Sequence, residues 1–334
     1  MLLSQVHPLM LANTMIKNDN ICVVNNTHGL LMYFLKYPEK FTSTLYVCQD
    51  DLPSVIRSNL EKVIVMPSFN DDKKKIAIIK RIVYRVYMHC SKFWYLKRFS
   101  KTICGHDHLY FSGSFISDKF ICLEDGTANY LTKHRKTSML KSLIREKILG
   151  VSSDIYGHSD KIKKVVLSGM MEIPEELSHK AEVIDIVNTW KDSPEESKKS
   201  FLSVFDVKND LPNKSIMIIT QPFSEDGYVT EDEKINIYKS LLEHYNKKYD
   251  ISEICIKPHP REKTDYKSHF DCTVIESPVP AQVLILEMSV KIISTLYSSV
   301  GYMAIDGCEI NLFGTSPSQN LEQKVGKING NVTL

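Results

Sequence analysis

The sequence predicts an α/β protein made of two doubly wound domains, and three observations lead to that prediction. Short apolar runs alternate with longer amphipathic stretches along most of the chain. The runs are continuously apolar, as in parallel strands that helices cover on both faces. A chain of 334 residues is also too long for one ordinary core, so two domains are expected.

The apolar runs are predicted as strands, and the periodic stretches between them as helices. The predicted helices cover residues 28–37, 73–99, 138–148, 231–248 and 280–288. The predicted strands are Ile21–Asn26, Leu45–Gln49, Lys62–Met66, His108–Ser112, Phe120–Leu123, Lys164–Leu167, Val183–Ile186, Ser215–Thr220, Glu253–Ile256, Thr273–Glu276 and Val290–Ser294.

A shift in composition over residues 189–214 predicts the domain boundary. The segment Trp190–Lys199 is charged and contains a Ser-Pro pair, and Asn209–Lys214 is a polar turn with a proline. The strand pattern then restarts. We therefore predict an N-terminal domain over residues 1–205, with an interdomain linker from about 189, and a C-terminal domain over 206–334.

Charge is distributed unevenly between these domains. Residues 1–150 carry 22 Lys and Arg against 12 Asp and Glu, whereas the remaining residues carry 20 against 28. A basic first half and an acidic second half indicate two modules with different partners. The net charge of +2 does not point to a nucleic-acid partner, and none is expected.

The cysteines and the hydropathy predict a cytoplasmic protein. None of the eight cysteines forms a Cys-x-x-Cys pair, and several lie inside apolar runs, so we expect reduced, buried thiols. The N-terminus lacks the charged and apolar pattern of a signal peptide. No run approaches the ~20 apolar residues that cross a bilayer. The cysteines are Cys22, Cys48, Cys90, Cys104, Cys122, Cys255, Cys272 and Cys308.

One stretch is strongly basic. From Lys73 to Lys101 there are ten basic residues and no acidic one, with aliphatic and aromatic residues between them. Such a helix suits the anionic inner face of a cell membrane, where the protein would be peripheral, or a groove for an anionic acceptor. The alternative is a helix that packs on the sheet and exposes an ordinary basic face to solvent.

Four short elements that follow predicted strands carry the candidate chemistry, because α/β folds place ligands at strand ends. The first is Glu124-Asp125-Gly126. Adjacent carboxylates followed by glycine can place one of them where it takes a proton from a sugar hydroxyl. The alternative interpretation is a common Asp-Gly turn.

The third element along the chain is Lys257-Pro258-His259-Pro260-Arg261. Prolines on both sides of a histidine stiffen the backbone and fix the direction of its side chain. The flanking cations suit a leaving phosphate, and histidine can donate a proton near neutral pH. The alternative is a surface histidine in a proline-rich turn.

The second and fourth elements are also candidates for ligand binding. Asp226-Gly227 follows a predicted strand and forms either the rim of a nucleotide site or only a turn. Ser294 and Thr295 end another strand, with Ser298 three residues further on. Hydroxyls at a strand end can hold a phosphate together with backbone N–H groups, although they can equally cap a helix.

The order of these elements resembles the bacterial sialyltransferases, in particular glycosyltransferase family 52, which includes lipooligosaccharide and streptococcal capsule enzymes. The resemblance rests on Glu124-Asp125-Gly126, on the pair His259-Pro260 and on the paired hydroxyls Ser294-Thr295. Asp226 also resembles that family. The matching elements span residues 20–305, which is most of the chain.

The resemblance implies a GT-B fold, in which two Rossmann-like domains face a central cleft. The N-terminal domain would hold the glycan acceptor, and the C-terminal domain the nucleotide-sugar donor. Asp125 would be the catalytic base and His259 the acid toward the leaving phosphate, with Asp226 as a rival base. The donor-binding residues so implied are Lys257, Pro260, Gln282, Ser294, Thr295 and Ser298, together with Gly126.

The implied reaction is an inverting transfer of sialic acid from CMP-sialic acid to a terminal galactose of a capsule or lipooligosaccharide, in α-2,3 linkage. The donor is a substrate, and no cofactor is expected. The sequence has no Asp-x-Asp motif and no His or Cys spacing typical of a cation site, so we predict metal-independent activity. Related enzymes often carry Glu in place of Gln282, as a ribose ligand.

Three alternatives remain on the sequence alone. The first is another CMP-releasing transferase, such as a CDP-glycerol glycerophosphotransferase, and the second is a glycosyltransferase with a UDP-sugar donor. The third is a non-catalytic protein that docks on membranes through residues 73–101. Related enzymes include dimers, so a homodimer is a further expectation from the resemblance.

Overall fold

The computed structural model describes residues 19–50, 52–69, 74–90, 93–130, 146, 154–207, 212–288 and 290–334. The chain divides into two compact units, Met1–Val204 and Phe205–Leu334, which we call unit 1 and unit 2. Each unit contains one parallel β-sheet with helical connections. The predicted fold class, two doubly wound α/β domains, is therefore confirmed.

The sheet of unit 1 has seven strands in the order β3-β2-β1-β4-β5-β6-β7, and every neighbouring pair is parallel. The strands are β1 (Asn20–Val23), β2 (Leu45–Gln49), β3 (Val63–Met66), β4 (Thr102–Gly105), β5 (Phe120–Leu123), β6 (Lys164–Leu167) and β7 (Ala181–Val183). The strand order reverses between β1 and β4. Such a switch point opens a crevice at the carboxyl ends of the strands.

The helices of unit 1 connect and cover this sheet. The described helices are α1 (Thr27–Lys36), α2 (Ser54–Asn59), α3 (Lys74–Cys90), α4 (Phe93–Phe99), α5 (Glu175–Ser178), α6 (Ile186–Asp192) and α7 (Glu195–Val204). Short 3-10 turns lie at Pro38–Lys40, Ser112–Ser114 and Gly126–Tyr130. The first helix begins where the side chain of Asn26 accepts a hydrogen bond from the Gly29 backbone N–H, at 2.7 Å.

The segment predicted as a linker is helical and packs against unit 1. Trp190 of α6 and Phe201 of α7 are buried. Their ring centroids lie 5.3 and 4.8 Å from that of Phe34 in α1. Charged residues dominate the exposed faces of these helices, and this explains why the segment resembles a linker in composition.

The sheet of unit 2 has five parallel strands in the order β10-β9-β8-β11-β12. Its strands are β8 (Ile216–Ile219), β9 (Ile254–Lys257), β10 (Thr273–Val274), β11 (Ile292–Thr295) and β12 (Glu309–Leu312). Its helices are α8 (Glu231–Asn246), α9 (Ala281–Met288) and α10 (Gln319–Val325). Short 3-10 turns lie at Ile251–Glu253, Tyr266–Ser268 and Ser299–Tyr302. The switch point lies between β8 and β11.

The predicted strand His108–Ser112 is wrong. The fourth strand is instead Thr102–Gly105, and the chain leaves the sheet at Gly105, which has a φ of 146° and lies against the backbone of Val23. Tyr110 and Phe111 reach the core from a turn. Their apolar side chains therefore produce the sequence pattern of a buried strand, although these residues lie outside the sheet.

Other predicted elements differ in smaller ways. The predicted helix 73–99 is present as the two helices α3 and α4. Strand β12 carries only two apolar residues and is partly exposed at the edge of its sheet, so no apolar run marks it. The predicted helix 138–148 lies outside the described residues, apart from Glu146.

Candidate active site

In unit 1, candidate residues follow strands on both sides of the switch point. Asn26 follows β1, the segment His106–His108 follows β4, and Asp125 follows β5. Parallel strands end at the same edge of a sheet, so these residues share the edge where doubly wound folds bind ligands. We call His106, His108 and Asp125 the histidine–aspartate cluster.

Asp125 lies at the centre of this cluster. One carboxylate oxygen lies 3.6 Å from Nε2 of His106, and the other lies 3.6 Å from Nε2 of His108. The amide of Asn26 donates a hydrogen bond to the carboxylate. Burial raises the pKa of Asp125, although the charges of His108 and His28 act in the opposite direction. The carboxyl group therefore accepts a proton more readily than an exposed aspartate does.

The adjacent Glu124 is buried in a network of hydrogen bonds, unlike Asp125. Its carboxylate is fully buried and accepts hydrogen bonds from Nε2 of His28 at 2.7 Å, from the Tyr130 hydroxyl at 2.6 Å and from Ser168. Burial alone would raise the pKa of Glu124, but these hydrogen bonds hold it below its ordinary value. Glu124 is thus an anchored anion, and Asp125 is the carboxylate of this pair that a ligand can reach.

The two histidines are held by their loop. Asp107 between them is buried and accepts hydrogen bonds from the backbone N–H groups of Tyr156 and Gly157, at 2.8 and 2.9 Å. The ring of His106 lies against Gly29, where an added Cβ would come within 2.5 Å of Nε2. Burial, and next the charge of His28, lower the pKa of His106 to about 3, so its ring is neutral.

In unit 2, His259 follows β9 in a loop that fixes its ring. Its Nδ1 accepts a hydrogen bond from the Arg261 backbone N–H, at 3.1 Å. In the neutral ring the proton therefore lies on Nε2. Burial, followed by the charges of Arg261 and Lys257, lowers the pKa of His259 to about 4. An anion close to Nε2 would raise the pKa of His259, because it favours the charged form of the ring.

Asp226 is tied to the same loop. Its two oxygens accept from the two terminal nitrogens of the Arg261 guanidinium, at 2.8 and 3.2 Å. Such a bidentate pair fixes the orientation of both carboxylate oxygens. The structure therefore connects two predicted site residues, Asp226 and His259, through Arg261.

A buried carboxylate that no sequence motif marked supports the His259 loop. Glu262 accepts hydrogen bonds from the His259 backbone N–H at 2.7 Å, from the Tyr266 hydroxyl at 2.8 Å and from the Thr220 hydroxyl. The buried ammonium of Lys234 lies 3.9 Å from it. The only sequence signal is its position three residues after His259, which is not distinctive in a loop.

Lys257 is the last residue of β9 and is almost fully buried. Its ammonium donates to the Pro258 carbonyl at 2.7 Å. Burial lowers its pKa to about 8, whereas the negative charge of Glu262 acts to raise it. Lys257 is therefore a cation that loses its proton as the pH rises through about 8 unless an anion binds. Pro260 in the same loop is exposed.

The remaining predicted residues lie near the ends of β11 and α9. Ser294 and Thr295 are fully buried within β11, and the Thr295 hydroxyl accepts from the Ser298 backbone N–H at 3.3 Å. The amide of Gln282 in α9 lies 3.5 Å from the Ser299 hydroxyl. Their predicted contacts with a donor stay predictions.

Gly126 follows Asp125 in unit 1 and has a φ of 83°. An added Cβ there would meet nothing within 4 Å. Glycine is therefore used at this position for its backbone conformation and not for lack of space.

Comparison with known proteins shows which family the chain resembles. Residues 97–313 match the model of glycosyltransferase family 52. An uncharacterized protein of Haemophilus influenzae is 31% identical over 323 residues, which cover 92% of this chain and 98% of that protein. The UDP-GlcNAc 2-epimerase of Methanocaldococcus jannaschii has a similar structure, with a TM-score of 0.40 and 12% identity over 84% of this chain and 80% of that one.

The protein is therefore a glycosyltransferase, which agrees with two doubly wound units that carry ionisable groups at their strand ends. More particularly, the chain belongs to glycosyltransferase family 52. The resemblance inferred from the short sequence elements is thus confirmed at the level of the family.

Proposed function

We propose that the protein is an inverting sialyltransferase that moves sialic acid from CMP-sialic acid to a terminal galactose of a capsule or lipooligosaccharide, in α-2,3 linkage. The observation that carries the proposal is the geometry of His259. Its Nδ1 is occupied by a backbone donor, and Lys257 and Arg261 add positive charge near the ring. An Nε2–H between two cations suits a departing phosphate.

The proposed reaction is a single displacement at the anomeric carbon. A carboxylate takes the proton of the galactose hydroxyl, and the hydroxyl oxygen forms the new bond to that carbon. The bond from the carbon to the phosphate oxygen breaks, and CMP leaves with the electron pair. His259 donates a hydrogen bond from its neutral Nε2–H to the phosphate oxygen as negative charge grows there, and the proton stays on the ring. No cofactor takes part in these steps.

Asp125 is the base in this proposal, with Asp226 as the alternative. Burial raises the pKa of Asp125, which favours proton acceptance, and no Arg or Lys contacts its carboxylate in the described residues. Both oxygens of Asp226 already accept from Arg261. Asp226 retains one advantage as a candidate, because Arg261 connects it to the loop of His259.

The donor nucleotide in this proposal binds to unit 2. Lys257 and the hydroxyls of Ser294, Thr295 and Ser298 would hold the phosphate, and Gln282 a ribose hydroxyl. A CDP-glycerol or UDP-sugar donor would need the same phosphate contacts. The base and sugar of the donor must therefore be identified by experiment.

A donor screen tests the proposal directly. The protein is incubated with CMP-sialic acid and lactose, and with CDP-glycerol or UDP-sugars in parallel, while product and released nucleotide are measured. We expect sialyllactose and CMP from CMP-sialic acid alone. His259→Ala should lower turnover about 10²–10³-fold, as for loss of one hydrogen-bond donor to a developing anion. His269→Ala, at an exposed histidine of the same unit, is the control.

Product from a UDP-sugar or CDP-glycerol, with none from CMP-sialic acid, would reject the sialic acid donor. Equal turnover by His259→Ala and the unmodified protein would reject the role of His259 while leaving the donor open. Melting temperatures with CMP, CDP and UDP provide a second measurement, because the matching nucleotide stabilises the folded protein.

We also propose that α3 holds the enzyme at an anionic membrane surface. Ile76, Ile79, Val83 and Val86 are spaced like one helix face and are between 45 and 61% exposed. Lysines on the same helix are exposed beside them, and α3 contains no acidic residue. Exposed apolar side chains with flanking cations fit the interface of an anionic bilayer.

No helix among the described residues has the length and hydropathy needed to cross a membrane. Flotation with vesicles tests the peripheral contact. We expect binding to phosphatidylglycerol vesicles, little binding to phosphatidylcholine vesicles, and at least a tenfold loss in Ile79→Ser/Val83→Ser. Binding unchanged by these substitutions would reject the surface. If these substitutions instead convert a dimer to a monomer, the exposed apolar face of α3 binds a second copy of the chain.

A further inference from the structure

The histidine–aspartate cluster of unit 1 has the donor set of a transition-metal site. One ligand atom from each of His106, His108 and Asp125 lies within 4.8 Å of the others. Two imidazole nitrogens and a carboxylate oxygen are ligands that zinc-class ions bind in proteins. The sequence alone gave no indication of this set, because the two histidines follow β4 and the aspartate follows β5.

The spacing of the three groups fits a common ion better than it fits hydrogen bonds. Each histidine Nε2 lies 3.6 Å from an Asp125 oxygen, which is longer than the about 2.7–3.2 Å of an N–H···O hydrogen bond. Ligand atoms about 2.1 Å from a tetrahedral zinc ion are separated by about 3.4 Å. Each measured separation lies close to that edge length, one to each oxygen of Asp125, and with one ligand atom per residue all three atoms lie within 4.8 Å of one another.

The burial of His106 supports the same conclusion. Its side chain is fully buried, and although the ring lies near the Glu124 backbone, neither ring nitrogen forms a hydrogen bond of normal geometry with a described residue. Buried polar atoms are rarely left in that state. An ion shared with Asp125 would satisfy Nε2, which lies on the side of the ring that approaches the carboxylate.

The ligands are also held in position by their surroundings. Asp107 ties the loop between the two histidines to backbone N–H groups of residues 156 and 157. Asn26 and the backbone orient Asp125, whose own N–H donates to the Asn129 side chain at 2.7 Å. Outer contacts of this kind are typical of sites that orient metal ligands.

We propose that His106, His108 and Asp125 bind one zinc-class divalent ion and leave its fourth position open. The ion would neutralise Asp125, so a bound metal should inhibit a transferase that uses this carboxylate as its base. This expected inhibition by a bound metal rests on the proposed function. The binding site itself does not depend on the donor or on the identity of the base, and it departs from the expectation of a metal-free protein.

The test is a titration of the untagged, full-length protein with Co²⁺, followed by its ligand-field absorption in the visible range. We expect one Co²⁺ per chain, displaced by Zn²⁺ and not by Mg²⁺. His108→Ala and Asp125→Asn should each weaken Co²⁺ binding at least about tenfold. His179→Ala, at an exposed histidine of the same unit, should bind Co²⁺ like the unmodified protein.

Absence of the absorption, or equal Co²⁺ affinity in His108→Ala and the unmodified protein, would overturn the proposal. Melting curves show whether each variant is folded. NMR of the histidine rings during Zn²⁺ titration assigns the ligands without any substitution, and unchanged signals of His106 and His108 would also overturn it. None of these measurements requires transferase activity. Metal binding can therefore be confirmed or rejected whether or not the protein transfers sialic acid.

Discussion

The tripeptide Glu-Asp-Gly occurs at Glu124–Gly126 in unit 1 and at Glu225–Gly227 in unit 2, each time after a strand. The glutamates behave alike. Hydrogen bonds hold the pKa of Glu124 below its ordinary value, and that of Glu225 at about 2, although burial acts to raise both. Each glutamate is an anchored anion of its unit.

The aspartates of the two tripeptides differ. Asp125 lies beside two histidines and an amide, and burial raises its pKa. Asp226 forms a bidentate pair with Arg261. The partner of the carboxylate, and not the tripeptide, therefore decides whether its oxygens are already occupied by a strong donor. Unit 1 thus suits a hydroxyl that must be deprotonated, and unit 2, with Lys257 and Arg261, suits a phosphate.

The largest expected effect tests this difference between the two aspartates. Asp125→Ala should lower kcat with CMP-sialic acid and lactose by about 10²–10⁴-fold, because it removes the proposed base. Asp226→Ala should lower kcat less and should weaken CMP binding, because it releases Arg261. Steady-state kinetics and CMP titrations of both variants provide the comparison. The reverse ranking of kcat would move the base to unit 2 and reject the assignment.

The glutamates provide a second test, now of stability. Glu124→Gln and Glu225→Gln should each lower the free energy of unfolding by about 1–3 kcal/mol, since each leaves buried donors without an anionic partner. Glu276→Gln is the control, because its ion pair with Lys267 is exposed and should change stability by less than about 0.5 kcal/mol. Thermal unfolding measures all three. A loss in only one unit would show that the two glutamates are not equivalent.

Lys257 predicts a pH dependence that belongs to unit 2. Its pKa is lowered to about 8, and a bound phosphate favours its charged form. CMP affinity should therefore fall as the pH rises through about 8, by up to about tenfold per pH unit. Calorimetry over this range measures the fall. It should disappear in Lys257→Met and persist in Lys263→Met, an exposed lysine of the same loop.

Much of the fold follows from local sequence, because continuously apolar runs need burial on both faces. Phe120–Leu123 and Lys164–Leu167 are found as predicted. The errors arise where burial comes from tertiary contacts. Tyr110 and Phe111 reach the core from a turn, and Trp190 reaches it from a short helix that ends in the charged residues Lys191 and Asp192.

The candidate site could be predicted only in part for a related reason. Asp125 and His259 stand in short elements with recognisable neighbours, so the sequence indicates them. Glu262 and His106 matter through contacts with residues that are distant in the chain, such as Thr220 and Asp125. Contacts of this kind depend on which strands are adjacent, and a single sequence does not specify that order.

The smallest expected effect concerns Gln282, the predicted ribose ligand. If its amide binds a ribose hydroxyl, Gln282→Ala should weaken CMP binding by about 1 kcal/mol, or about fivefold. The same substitution should leave the affinity for 2′,3′-dideoxycytidine monophosphate unchanged, because that ligand lacks both hydroxyls. Calorimetry of both ligands with both proteins isolates the contact as a thermodynamic cycle. An equal loss for both ligands would show that Gln282 acts through its neighbour Ser299 or through packing, and the predicted ribose contact would then be rejected.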